Sequence, residues 1–269
     1  MSDLDSPETI LRALDSGAIR AAEPDASAHS GWRVNPDVQK AILRLFANRE
    51  TRTWDFDGIQ FRDRVNLPPK DLLASDEAAA ALAAEKPWRV VPGGTSVRAG
   101  AYLAPGVTVM PPSYVNVGAW IGEGTMVDSH VLVGSCAQIG SRVHLSAAVQ
   151  IGGVLEPPGQ RPVIVEDEAF IGAQSALLEG VLVQRRAVIG AGVILTGTSR
   201  LYDLVRDQVH IGSFEQPLVV PAGAVVVPGV RSIGGDFATR HGLGLSAAIV
   251  VKYRDDRTDA RVALEEALR

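Results

Sequence analysis

The chain has 269 residues, room for one large domain or two to three small ones. It is 46% hydrophobic, with 27 Gly and 16 Pro but no low-complexity tract, so its regularly spaced glycines point to repeated turns rather than disorder. A net charge of −5 argues against a nucleic-acid partner, and a single cysteine, Cys136, excludes a disulfide framework and disfavours a metal site.

The first residues carry two Asp and no apolar core, so no secretory signal is visible, and no run of 18 uncharged apolar residues exists to span a membrane. The expectation is a cytoplasmic protein without metal, nucleic-acid or membrane partners. Residues 6–20 read as a helix, with Ser6-Pro7-Glu8 as its start and Ile10, Leu11, Leu14 and Ile19 as its apolar stripe. A second helix is predicted over 36–49 and a third over 71–84. With Trp32, Trp54 and Trp88, these make residues 1–88 a small α-rich domain.

From Val97 the sequence repeats every six residues. Val97, Leu103, Val109, Val115, Ile121, Val127, Val133, Ile139, Leu145 and Ile151 are all aliphatic. A Pro-rich insert interrupts at 156–164, and the phase resumes at Val165, Ile171, Leu177, Val183, Ile189, Leu195 and Leu201. Chance agreement at the average apolar content is on the order of one in a million. Four residues after each anchor stand small or β-branched residues, from Ala101 to Ser199 and Val205. Period six fits neither a helix nor a flat strand; it fits a prism in which each hexapeptide is one short strand plus a corner. Three hexapeptides make a coil, and coils stack at about 4.8 Å. Residues 89–206 are therefore expected to form a parallel β-helix with a continuous aliphatic core.

Residues 207–269 are expected to close the last coil: partial repeats over 219–230, a buried strand at 247–251 and a final helix over 258–269.

The hexapeptide pattern resembles that of the hexapeptide-repeat acyltransferases, and the resemblance implies a left-handed coil and a homotrimer with active sites at subunit boundaries. Longer motifs narrow it. Pro112-Ser-Tyr-Val-Asn116, Gly124-Thr-Met-Val-Asp128, Val133-Gly-Ser-Cys-Ala-Gln-Ile-Gly140, Val143-His-Leu-Ser146, Ile151-Gly-Gly-Val-Leu-Glu-Pro157, Arg200-Leu-Tyr-Asp203 and Val220-Pro-Ala-Gly223 occur in order. In these the chain is similar to the tetrahydrodipicolinate N-succinyltransferases over nearly its whole length. The resemblance implies transfer of an acyl group from a coenzyme A thioester, succinyl or acetyl, to the amine of a lysine-pathway amino acid. Such a reaction needs a base for the amine and donors for the thioester oxyanion.

The resemblance assigns Asp128 to the acceptor amine and Arg89 to the acceptor carboxylate, with Ser146 and Gln174 as further substrate contacts. Gly172, Ala173, Gly190, Ala191 and Gly197 are expected to let the pantetheine arm approach the backbone, and Arg200, Lys252 and Arg254 to meet the nucleotide phosphates. The sequence also departs from the family pattern: Ala176 stands where a catalytic Glu is usual, Gln174 where an Arg is, His130 where a Trp is, and Ala147, Ala148 and Gln150 where glycines are. Glu179 and His130 are the candidates to stand in as catalytic groups, although either could be a corner residue only. These departures raise two alternatives, a specialised acetyltransferase of a tabtoxin-like pathway and a β-helix scaffold without catalysis.

Overall fold

The computed structural model describes residues 6–72, 88–155, 161–213 and 215–255. All the aliphatic anchors, Val97 through Leu201, are buried and belong to one continuous core. Two-residue strands pair in parallel, as in Trp120–Ile121 with Tyr102–Leu103 below and Gln138–Ile139 above. The partners stand 18 residues apart, so each coil holds three strands and the coils build three sheets. The first sheet runs from Tyr102–Leu103 to Val219–Val220, the second starts at Arg89–Val90, and the third runs from Ser96–Val97 to Ile194–Leu195.

The corners explain the period. The third residue after nearly every anchor is left-handed, and often it is not glycine: His130, Cys136, Arg142, Ala148, Glu168, Gln174 and Arg186 all have φ between 53° and 65°. Each such position costs about 1 kcal/mol or more, which the stacked coil imposes on the residue. The residue directly after an anchor is often glycine for a different reason, close contact with the backbone of the next coil.

The coil is not uniform. Val90 pairs with Val109, so the first turn is one residue longer than the rest. Ile139 pairs with Val165, which places an eight-residue insertion between Ile151 and Ile164. The predicted boundary at 206 is wrong in both directions. The chain leaves the prism early as an antiparallel hairpin, Arg200–Asp203 with Gln208–Ile211, and Val205 is 55% exposed instead of buried. It then re-enters, Val219–Val220 pairing with Leu182–Val183 and Val225–Val226 with Val188–Ile189. The strand expected at 247–251 is longer, Gly244–Tyr253, and only Ala248 and Val250 in it are buried. It pairs antiparallel with Ala224–Ser232, so one face of this cap stays wet.

The N-terminal part is mixed rather than α-rich. Its helices are shorter than expected, Pro7–Asp15 and Pro36–Leu45. Ser6 caps the first through a 3.2 Å bond from the Thr9 N–H, and it stops before Gly17, whose φ of +74° no helix continues. Two antiparallel strand pairs accompany them, Ala22–Pro24 with Trp32–Val34 and Thr51–Phe56 with Ile59–Arg64. Ile10, Leu14, Val38, Ile42 and Leu45 pack on the corner residues Val117, Cys136 and Val154. Trp32 and Val34 cover Ile164 and Leu182 on the outside of the first sheet. The helices predicted over 71–84 and 258–269 lie, in whole or for the most part, outside the described residues.

Candidate active site

The edge between the second and third sheets carries most of the candidate residues. Successive coils place there Asp128-Ser129-His130, Ser146-Ala147-Ala148, Gly172-Ala173-Gln174 and Gly190-Ala191-Gly192. Their backbones are stitched along the prism axis: His130 N–H donates to Pro112 O at 2.6 Å, Ala148 to Ser129 O at 2.8 Å, Gln174 to Ala147 O at 3.0 Å and Gly192 to Ala173 O at 2.9 Å.

Asp128 follows the buried anchor Val127, so strand alternation turns its side chain outward. Its Oδ1 accepts the Ser129 N–H at 2.7 Å, which pins the carboxylate, and Oδ2 has no partner among the described residues. His130 is exposed and held in the left-handed region, φ +62°. The Gln150 amide donates to Ala148 O at 3.3 Å and to His130 O at 3.5 Å. Ser146 is buried at the same corner. Arg89 is exposed on the second sheet, two strands from Met126, or about 10 Å from the Asp128 corner by strand spacing.

The second residue after an anchor has an N–H that faces out of the coil. At other corners a side chain reaches it from outside: Asp167 takes Ser141 N–H at 2.8 Å, Glu166 takes Arg185 at 2.9 Å, Glu179 takes Gly197 at 3.1 Å and Gln184 takes Ala222 at 3.1 Å. On the Asp128 edge the Ser129 N–H is taken by Asp128 itself, and the next equivalents, Ala147, Ala173 and Ala191, have N–H groups with no acceptor among the described residues. The small residues around them offer no acceptor, and the result is a ladder of free donors at the coil spacing of about 4.8 Å. Sequence reading anticipated an exposed backbone wall but missed Ala147 as a donor; its signal was the offset of two from anchor Leu145.

Several candidates fall elsewhere. Glu179 and Gly197 occupy the next edge, between the third and first sheets, one face away from Asp128, and the Glu179 carboxylate is engaged by the Gly197 N–H. Within one chain Glu179 therefore does not replace a carboxylate at Ala176. Gly172 and Gly190 are demanded by stacking: a Cβ on Gly172 would sit 2.6 Å from Ala191 N, and one on Gly190 2.9 Å from Val226 O. They are not open floor for a ligand. The proposed phosphate cations do not converge. Arg254 lies on the edge between the first and second sheets and donates to Glu168 O at 3.0 Å and Arg186 O at 3.3 Å. Lys252 pairs with Asp255 at 3.1 Å. Arg200 stands on the hairpin beside the opposite half of the same strand that carries Lys252. Cys136 is fully buried, which pushes its thiol up to about 12 and makes it a packing residue. No group of three or more potential metal ligands occurs among the described residues, and no described helix is long and apolar enough to cross a membrane.

A prism of hexapeptide coils with a carboxylate and a row of free N–H donors on one edge defines the class: a left-handed β-helix acyltransferase that uses an acyl-CoA thioester to acylate an amine. The comparisons narrow it. Residues 4–47 match the profile described as "Tetrahydrodipicolinate N-succinyltransferase N-terminal", and residues 162–197 match "Hexapeptide repeat of succinyl-transferase". The 2,3,4,5-tetrahydropyridine-2,6-dicarboxylate N-succinyltransferase of Pseudoalteromonas translucida is 45% identical over 96% of this chain and 86% of its own length. Those of Polynucleobacter asymbioticus and Cupriavidus necator are 42% and 43% identical, each over 97% of this chain and 87% of theirs. The chain belongs to the tetrahydrodipicolinate N-succinyltransferase family. These relatives give no support to a tabtoxin-like branch.

Proposed function

We propose that the protein transfers a succinyl group from succinyl-CoA to the amine of tetrahydrodipicolinate, or its open-chain 2-amino-6-oxopimelate form, in lysine biosynthesis. The observation that carries this is the pairing, on one edge, of Asp128 Oδ2 with the free N–H groups of Ala147, Ala173 and Ala191. The amine attacks the thioester carbonyl, Asp128 takes its proton, and the Ala147 N–H, one coil above Asp128, receives the developing oxyanion. The Ala173 and Ala191 donors hold the amide carbonyls of the pantetheine arm. The thiolate then leaves as the tetrahedral intermediate collapses, so no covalent enzyme intermediate is needed.

The functional unit in this reading is a homotrimer, which brings the Asp128 edge of one subunit to the third sheet or the Glu179 edge of another. The donor has a second reading. Among the described residues the Asp128 edge from 128 to 192 carries no Lys or Arg to pair with a succinyl carboxylate, which favours acetyl-CoA. One experiment separates them: kcat/KM with each thioester on the same acceptor. Succinyl preferred supports the first reading, acetyl preferred the second, and turnover with neither overturns both.

A further inference from the structure

The edge between the first and second sheets carries an anomaly that acyl transfer does not use. A cavity of about 450 Å³ opens there, walled by Arg20, Trp32, Trp120 and Asp167, with Pro24 and Arg185 also lining it. Arg20 is half-buried. Its guanidinium lies 3.8 Å over the Trp120 ring and 5.7 Å from that of Trp32, and its Nε donates to Gln138 Oε1 at 3.0 Å. Its two terminal nitrogens have no hydrogen-bond partner, and no carboxylate stands within ion-pair distance, among the described residues. The two indoles compensate the charge only in part. Burial pulls the guanidinium down to about 10, a long way for an arginine.

The carboxylates around the cavity are unevenly committed. Glu166 is engaged at both oxygens, Oε1 accepting the Trp32 indole N–H at 2.8 Å and Oε2 the Arg185 N–H at 2.9 Å. Asp167 uses Oδ1 for the Ser141 N–H and keeps Oδ2 free on an exposed corner. The cavity thus presents the Arg20 fork, a free Asp167 oxygen and indole walls, with the more exposed Arg185 guanidinium at its rim, 4.0 Å from Glu168. A second negative charge on a ligand would meet Asp167 and Glu166, and a simple cation would meet Arg20 with nothing to neutralise it. A zwitterion with an apolar side chain satisfies Arg20, Asp167 and the indole walls together, and leaves Arg185 to Glu168.

We propose that this cavity binds a free α-amino acid, its carboxylate on the Arg20 terminal nitrogens, its ammonium on Asp167 Oδ2 and its side chain against Trp32. The site is built by residues 20–32 and the first-sheet edge of the same chain, one face of the prism away from Asp128, so it stands or falls independently of the acyl-transfer reading.

The test is a titration of the full-length protein with the common L-amino acids, followed by tryptophan fluorescence and calorimetry. At least one is expected to bind saturably, with its N-acetyl and amide derivatives weaker by about tenfold or more, the worth of one lost charged hydrogen bond. Arg20→Lys and Asp167→Asn are each expected to weaken it by about fivefold or more, and Asp128→Asn to leave it unchanged. Asp167 is exposed, so D167N carries the test should R20K fail to fold. Any of three results overturns the proposal: no saturable binding up to about 10 mM, already a very weak affinity; equal binding of the blocked derivatives; or wild-type binding by folded D167N. Loss of binding in D128N would assign the amino acid to the other edge and overturn it as well.

Discussion

In the proposed reaction the two oxygens of Asp128 have different duties. Oδ1 caps the Ser129 N–H, which fixes the carboxylate, and Oδ2 would take the proton. Asparagine keeps an oxygen for the cap but cannot take a proton. Asp128→Asn is therefore expected to lower kcat/KM by roughly 10²–10⁴ while leaving the melting temperature near that of the wild type, as steady-state kinetics and a thermal melt would show. Gly172 behaves in the opposite way. An alanine Cβ there would lie 2.6 Å from Ala191 N, so Gly172→Ala is expected to destabilise the fold by about 1–3 kcal/mol, read as a lower denaturation midpoint. The contrast marks what the sequence could and could not say. The outward place of Asp128 is legible in the sequence, because it directly follows the aliphatic anchor Val127. The role of Gly172 is not, because spacing cannot reveal which face of a corner residue meets the next coil. The contacts of Arg254 are illegible in the sequence for a related reason: its partners, Glu168 O and Arg186 O, lie 86 and 68 residues away along the chain.

The hairpin Arg200–Asp203 with Gln208–Ile211 shows a periodic signal overridden by a buried charge. Leu201 keeps the phase and is buried, yet Asp203 beyond it is fully buried as well. Burial alone would raise its carboxyl. The Tyr253 hydroxyl, the N–H groups of Arg206 and Val205 (each 3.0 Å away) and His210 more than offset this and hold it below the usual range. A carboxylate that must gather these donors pulls the chain out of the coil into a turn, and Val205 becomes exposed. Because the folded value is depressed, this stabilisation is present above the unfolded value of 3.8 and is lost as pH falls through the lower folded value. Asp203→Asn is expected to cost about 1.5–3 kcal/mol near neutral pH and to flatten the acid limb of the stability curve below about pH 4. Tyr253 has the complementary limb. Burial first, then the bond to Asp203, push its phenol up to about 12, so its contribution is complete below pH 10 and fades as pH rises through 12. Tyr253→Phe should lose that alkaline dependence in urea melts taken across pH.

For the whole molecule, the prism's three outer faces are treated unequally. The first sheet is covered by Trp32 and Val34, and the N-terminal helices pack on its edge with the third sheet. The other two present apolar or aromatic side chains: Met126, the stacked pair His144 and Phe170 at 4.8 Å, and Val188 on the second sheet, and Tyr114, Leu132 and Ile194 on the third. Ile194 is 63% exposed in one chain. On the third sheet Gln150 and Ala176 stand between Leu132 and Ile194, yet apolar side chains on outer faces are costly in water and mark association surfaces. Three copies around an axis would bury both, and would set the Asp128 edge of one chain against another chain. The period of six dictates the prism and its outward columns, but no single-chain pattern states which columns meet a partner. The wild type is expected to run at about 85 kDa in light scattering, three times the 28.4 kDa chain. Ile194→Glu places a charge on the last strand of that face, at its most exposed apolar residue. A carboxylate left unpaired in an interface costs several kcal/mol, so the variant should sediment as a monomer at micromolar concentration and lose activity together with assembly. Its circular dichroism should stay that of a β-helix, since the core behind Leu195 is untouched. A variant that remained trimeric and active would exclude the third sheet from the subunit contact.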